Sequence, residues 1–228
     1  MRDSRLDLFF KGQEHQFWLQ AAHPIVLILS GYNNEYIKEV GHCWLSPIAM
    51  AKVDHLRKSE SIYAHHIFHS RSPSLKEAIT TIFYQLLCQK KRALRDKVKR
   101  DELRAEIHHL GTLVETNATT HKLDKSALTA LGNVACRILN LFDPSQVIYI
   151  IIDRVDRCSD LEGKNDQRKA LLKMLVRIAE TTHTRLKMLV VCKSCQWAVD
   201  EHQDDLEQKS KETVVVHKMK QAYVDGRP

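Results

Sequence analysis

The sequence predicts an α/β domain built on a mainly parallel five-stranded sheet, and three observations carry that prediction. Five short runs rich in Ile, Val or Tyr punctuate the chain, segments of helical apolar period separate them, and the run from Val147 to Ile152 is apolar throughout. A strand apolar on both faces belongs in a sheet covered by helices on both sides. The 228 residues suffice for one such domain, with 43% hydrophobic and 28% charged residues and no internal repeat or low-complexity linker.

Taken in order, a helix containing Trp18-Leu19 leads into the strand Ile25 to Ser30. Ser46-Pro47 opens the next helix, with Ser46 as N-cap, Pro47 at the first helical position, and Ile48, Met50 or Ala51, and Leu56 facing inward. Ser61 to Phe68 reads as the second strand. Ser74-Leu75-Lys76-Glu77 is a capping box, after which Ala78, Ile79, Ile82 and Leu86 recur at helical spacing. Gln89 to Leu110 is helical by propensity but polar on nearly every face. Its basic residues Lys90, Lys91, Arg92, Arg95, Lys97, Lys99, Arg100 and Arg104 outnumber the acids Asp96, Asp101 and Glu102. That balance predicts a solvated helix or insertion, or else a docking site for an anionic surface. The stretch has no aromatic platform on which single-stranded bases could stack.

Leu128, Leu131, Ala135, Ile138 and Leu139 predict a helix over Ser126 to Leu141, followed by the strand Val147 to Ile152. Leu171, Leu175 and Ile178 predict a helix from about Gln167 to Thr181, and Leu186 to Cys192 and Thr213 to His217 supply the last strands. Strands alternating with helices imply right-handed crossovers in one doubly wound sheet. The expected division is a helical lead-in over 1–24, a core over 25–220 with its basic segment at about 89–110, and a tail over 221–228.

Net charge is +7 with His neutral, which permits anionic partners without establishing one. No apolar run approaches the roughly 20 residues of a membrane span, and no signal-type stretch follows Met1-Arg2-Asp3. The cysteines at 43, 88, 136, 158, 192 and 195 are scattered, as reduced thiols are, so the expected address is cytoplasmic with no membrane partner. The sequon Asn117-Ala118-Thr119 reads as a chance triplet under that expectation.

Chemistry concentrates where the third strand ends. A buried strand closing on Asp153, with Asp156 three residues on, is how phosphate-hydrolysing α/β proteins present a Mg²⁺ carboxylate at the carboxyl edge of a sheet. The other reading of the same residues is a buried strand followed by a charged turn. Two further clusters are weaker. Cys192-Lys193-Ser194-Cys195 lacks a second pair at zinc spacing, and on a strand His65 and His69 stand ~13 Å apart, with His66 on the other face.

The order of segments resembles the nucleotide-binding core of NACHT-type (STAND) P-loop NTPases, especially the fungal NOD-like receptor group. Trp18-Leu19 precedes the first strand and Ile25 to Gly31 form it. Ser61 to Phe68 and the helix through Tyr84-Gln85-Leu86-Leu87 follow, Ile150 to Cys158 resembles Walker B, Lys187 to Cys192 the sensor strand, and Thr213 to His217 the last core strand. The resemblance implies a three-layer P-loop NTPase-like domain whose sensor strand lies between the first and third strands. It also implies Mg-ATP or Mg-GTP as cofactor, Asp153 on the metal, Asp156 in catalysis, and Gly31, Gly41, His42, Cys43 and Lys193 around the nucleotide.

The phosphate loop departs from G-x-x-x-x-G-K-[ST] in both registers. Anchored on Gly31, the second glycine is Tyr36 and the lysine Ile37; anchored on Gly41, the first glycine is Tyr36, the lysine His42 and the hydroxyl residue Cys43. Arg157 replaces the last acid of D-x-x-D-E, and Cys192-Lys193 stands where the sensor arginine follows Ser or Thr. The expectation is a regulatory or interaction module with an eroded phosphate loop and weak or absent hydrolysis. Its expected partners are proteins, either intact members of the family or a second copy. The alternatives are a working ATPase or GTPase, with Lys38 or Lys193 reaching the phosphates, and a basic nucleic-acid-binding module.

Overall fold

The computed structural model describes residues 4–32, 43–68, 75–116, 125–158, 167–193 and 213–220. Seven α-helices and five strands follow one another among them: α1 (Ser4–Lys11), α2 (Gln13–Gln20), β1 (Ile25–Tyr32), α3 (Ser46–Lys58), β2 (Ile62–Ile67), α4 (Leu75–Gln89), α5 (Lys97–Thr116), α6 (Lys125–Leu139), β3 (Val147–Asp153), α7 (Gln167–Thr181), β4 (Arg185–Lys193) and β5 (Val214–Lys220). The strands form one sheet in the order β2-β3-β4-β1-β5, with every pairing parallel. The fourth strand in the chain thus lies between the first and third, as the resemblance implies.

Strand alternation creates two cores. Val26 and Ile28 of β1, Ile148, Ile150 and Ile152 of β3, and Leu186, Met188 and Val190 of β4 face α4 to α7. Ile25, Leu27, Leu29, Ile151, Leu189 and Val191 face α1 to α3. Helices therefore cover both faces, which makes three layers and explains the continuous apolar strands.

The inner stripe of α3 differs from the expected one: it is Ile48, Ala49, Lys52, Val53 and Leu56, and Met50 is 36% exposed. Lys52 sits at helical spacing between Ile48 and Leu56, and its ammonium lies 5.1 Å from the Trp18 ring and 5.4 Å from Tyr149. The aromatic faces compensate part of the charge's desolvation, and burial still lowers its pKa to about 8. Lys187 is buried as well, donates its ammonium to the Ala21 carbonyl, and is lowered to about 8 by burial and by Arg185. His15 completes this polar island: it lies 3.1 Å from the Phe10 carbonyl, and burial followed by the Lys52 charge depresses it to about 4.

The free edge of β2 is closed by side chains. Gln85 accepts from the His65 amide at 3.0 Å and donates to its carbonyl at 3.0 Å, while Gln89 accepts from the Tyr63 amide at 3.3 Å and donates to its carbonyl at 2.7 Å. Four residues of helix rise ~6 Å and two residues of strand rise ~6.6 Å, so glutamines at i and i+4 fit alternate strand residues.

Beyond α4, a 3-10 turn at Lys91–Arg95 leads into α5, which extends past Leu110 to Thr116. The basic run is exposed, with Lys90 and Leu94 half-buried, but Leu103 is 5% exposed and joins the core. Helix α6 stops at Leu139, two residues earlier than its apolar pattern suggests, and Leu141 packs beside it from the following turn. Ser74 of the expected capping box lies outside the described residues.

Candidate functional site

The three central strands end together. Ser30 is opposite Cys192, Gly31 opposite Lys193, and Asp153 opposite Val191. The carboxyl edge of a parallel sheet is where α/β folds hold ligands, because the following loops splay apart there.

Asp153 is the last residue of β3 and is only 2% exposed. Its carbonyl accepts from the Phe68 amide at 3.0 Å. The Ser46 hydroxyl donates to its carboxyl group, whereas Oδ1 has no hydrogen-bond partner. Burial pushes the carboxyl up to about 6, the Asp156 charge adds to the rise, and Ser46 and Arg154 oppose it. Ser46 is thereby corrected: it begins α3 behind Leu45, and no side chain caps the helix. Its hydroxyl serves the acid across the loop instead of its own helix.

Arg154 adopts a left-handed backbone, φ 64°, and folds its side chain back onto Asp156. Nη2 lies 2.8 Å from Oδ2, and Nε lies 3.1 and 3.2 Å from the two carboxylate oxygens. Both side chains are buried, at 5% and 0% exposure. A planar guanidinium matches a carboxylate in this forked geometry, so the pair holds the turn after β3.

At the end of β1, apolar groups approach the backbone. A Cβ placed on Gly31 would stand 2.5 Å from Leu45 Cδ1 and 3.3 Å from Trp44 Cζ2, and Leu45 is fully buried. Gly31 is thus needed for a close approach by side chains. At the start of α3, the Ser46 amide donates to the Cys43 carbonyl at 3.1 Å and the Ile48 amide to the Leu45 carbonyl at 2.9 Å. Pro47 between them has no N–H. Helix N-termini bind anions through free amides, and the first turn of α3 offers none at residues 46 to 48.

Cys43 sits beside this turn, 7% exposed, its thiol pushed up chiefly by burial. Cys192 is buried, with its sulfur 3.7 Å from the Leu29 carbonyl. Lys193 ends β4, Arg157 is half-buried, and the Ser30 hydroxyl is buried without a hydrogen-bond partner. Gly41, His42, Lys38, Tyr36, Ile37, His69 and Cys195 lie outside the described residues. The structure therefore brings Gly31, Cys43, Asp153, Asp156 and the end of β4 to one edge. Sequence reasoning missed Ser46 as the partner of Asp153, because Ser-Pro at a helix start reads as a cap. It missed the Arg154–Asp156 clamp because only the left-handed residue between strand and turn lets neighbours two apart face one another.

The family model described as nephrocystin 3, N-terminal, matches residues 6–193. That span holds most of α1, all of α2 through β4 and the carboxyl ends of β1 to β4, and the chain belongs to this family. No curated protein matches the sequence.

Proposed function

We propose that this member of the nephrocystin 3 N-terminal family is a NACHT-like regulatory or interaction module that binds nucleotide weakly and turns it over at no useful rate. The observation that carries this reading is the apolar closure over Gly31. Leu45 and Trp44 stand against the strand end where phosphates would lie, and residues 46 to 48 have no amide left to offer them. A phosphate cradle needs converging N–H donors and a cation. The Gly31 and Gly41 registers supply no lysine in the standard place, and the described side chains add no cradle.

The metal position is different. The Asp153 carboxylate is a hard oxygen ligand of the kind Mg²⁺ takes, and its Oδ1 stays without a hydrogen bond beside the Ser46 hydroxyl that donates to the same group. Bound Mg²⁺ would supply charge neutralisation to a phosphate at that edge. Asp153 would hold it and Ser46 would orient the carboxylate. Asp156, held by Arg154, positions the turn and takes no proton in this reading. The Asp153–Ser46 pair is also what favours the second reading, an active NTPase with a non-standard loop. Interaction with intact family members or a second copy is the remaining role when hydrolysis is absent.

Calorimetry with Mg·ATP and Mg·GTP on the wild type and on Asp153→Ala tests the proposal. The expected result is weak or no heat and no phosphate release. Micromolar binding or steady release that Asp153→Ala abolishes would overturn it in favour of the active enzyme.

A further inference from the structure

Helix α5 packs one face inward and leaves a mainly basic face in solvent. Leu103, Glu106, Leu110 and Leu113 fall at helical spacing on the inner side, with Leu103 buried and the others half-buried. The acids on that side are engaged: Arg137 of α6 reaches Glu102 at 2.8 Å and Glu106 at 2.9 Å. Asp96 is engaged too, accepting from the Val98 amide at 3.0 Å at the start of the helix. The outer side carries Lys97, Arg100, Arg104 and His108, spaced i, i+3, i+7 and i+11, all exposed. Such spacing makes one stripe, about 10 Å long from Lys97 to Arg104 at 1.5 Å per residue. One acid, Asp101, falls within the stripe, four residues from Lys97 and three from Arg104, and lies 3.7 Å from Arg100; among the described residues no carboxylate pairs with Lys97 or Arg104. Lys91, Arg92 and Arg95, in the 3-10 turn just before, extend the positive surface.

We infer that this stripe is a docking surface for an acidic α-helical segment of a partner protein. A row in which cations outnumber the one acid complements a linear anion, and carboxylates repeating every three or four residues on a facing helix have the same ~4.5–6 Å advance. A membrane fits less well. The exposed apolar residues Val98 and Ile107 are nine positions apart, on opposite sides of the helix, so no plane receives both. The exposed face has no aromatic for base stacking. The surface lies away from the carboxyl edge and does not depend on the nucleotide reading.

The test uses the full chain and two Ala-based helical peptides of equal composition. One places its glutamates on one face at i, i+3, i+7, and the other spreads them around the helix. Calorimetry at low salt is expected to show the one-face peptide binding at least ten-fold more tightly. Lys97→Gln/Arg100→Gln/Arg104→Gln should lose at least ten-fold with its melting temperature unchanged. Lys58→Gln/Lys76→Gln/Lys173→Gln, which removes the same charge elsewhere, should keep the affinity. If the triple variant fails to fold, Arg104→Gln alone should weaken the peptide and flatten its salt dependence. No binding, equal binding of the two peptides, equal loss in both triple variants, or tighter binding to phosphatidylserine vesicles or duplex DNA would each overturn the inference.

Discussion

Replacing Asp153 by Asn should stabilise the protein at neutral pH. The acid is buried, keeps one oxygen unsatisfied, and is pushed from its ordinary 3.8 to about 6. A carboxyl with a higher pKa in the folded chain binds more protons there than in the unfolded chain between those two values. Stability therefore falls as pH rises from about 4 to 6 and stays reduced above it. Roughly two pKa units at about 1.4 kcal/mol each set an upper bound near 3 kcal/mol. Asn keeps the volume and can still accept from Ser46, so the expected gain is about 1–3 kcal/mol at pH 7.5. For a chain of this size that is a rise of about 2–12 °C in Tm. Urea unfolding at pH 7.5 and pH 4, without divalent cations, measures it. The gain should shrink to near zero at pH 4, where the native carboxyl is protonated. Adding Mg²⁺ should raise wild-type stability and leave Asp153→Asn unchanged if the metal position is competent. A variant less stable than wild type at pH 7.5, or an equal gain at both pH values, would refute the reasoning.

Other expected outcomes follow from the packing. Gly31→Ala should cost about 1–3 kcal/mol by driving a methyl into Leu45, and a double-mutant cycle with Leu45→Ala should return a coupling above ~0.5 kcal/mol; additive losses would dismiss the contact. Gln85→Ala/Gln89→Ala should lower stability by about 2 kcal/mol and speed hydrogen exchange at the His65 and Tyr63 amides, and unchanged exchange would show that the edge is not held by the glutamines. Lys52→Met should stabilise the chain at pH 7 by up to about 3 kcal/mol. The native lysine titrates at about 8 against an ordinary 10.5, so wild-type stability should rise with pH across that window and the advantage of Met should fade by pH 10.5. A gain that does not vary with pH would place the effect in packing alone.

The central strands β1, β3 and β4 were legible because they are the mainly apolar runs that a doubly covered sheet requires, and Asp153 was legible because a charge at the end of such a run stands out. Period alone misassigned the inner stripe of α3, because it treats Lys52 as polar and cannot see Trp18 and Tyr149 converging on its ammonium. The glutamine closure of β2 was hidden for a related reason: Gln85 and Gln89 look like ordinary solvated positions until the strand beneath them is known. Ser46 carried a local signal, Ser before Pro, that pointed to the wrong partner. Its bond to Asp153 depends on where β3 ends relative to α3, a tertiary fact.

The buried charges divide into two kinds, and the division locates the site better than any single motif. Lys52, Lys187 and His15 are shifted toward their neutral forms and rest on rings or carbonyls, so the fold has accommodated them. Arg154 and Asp156 satisfy each other in a buried fork. Asp153 is pushed upward by burial, and its two hydrogen-bond donors, the Ser46 hydroxyl and the Arg154 amide, leave Oδ1 bare. A buried acid in that state opposes folding, and an apolar or amide residue would serve the same strand end at lower cost. Leu45 and Trp44 stand against Gly31 at the end of β1, on the same edge as this carboxylate. The stability difference between the wild type and Asp153→Asn, measured with and without Mg²⁺, therefore separates an acid still used by a cation from one that has outlasted its ligand.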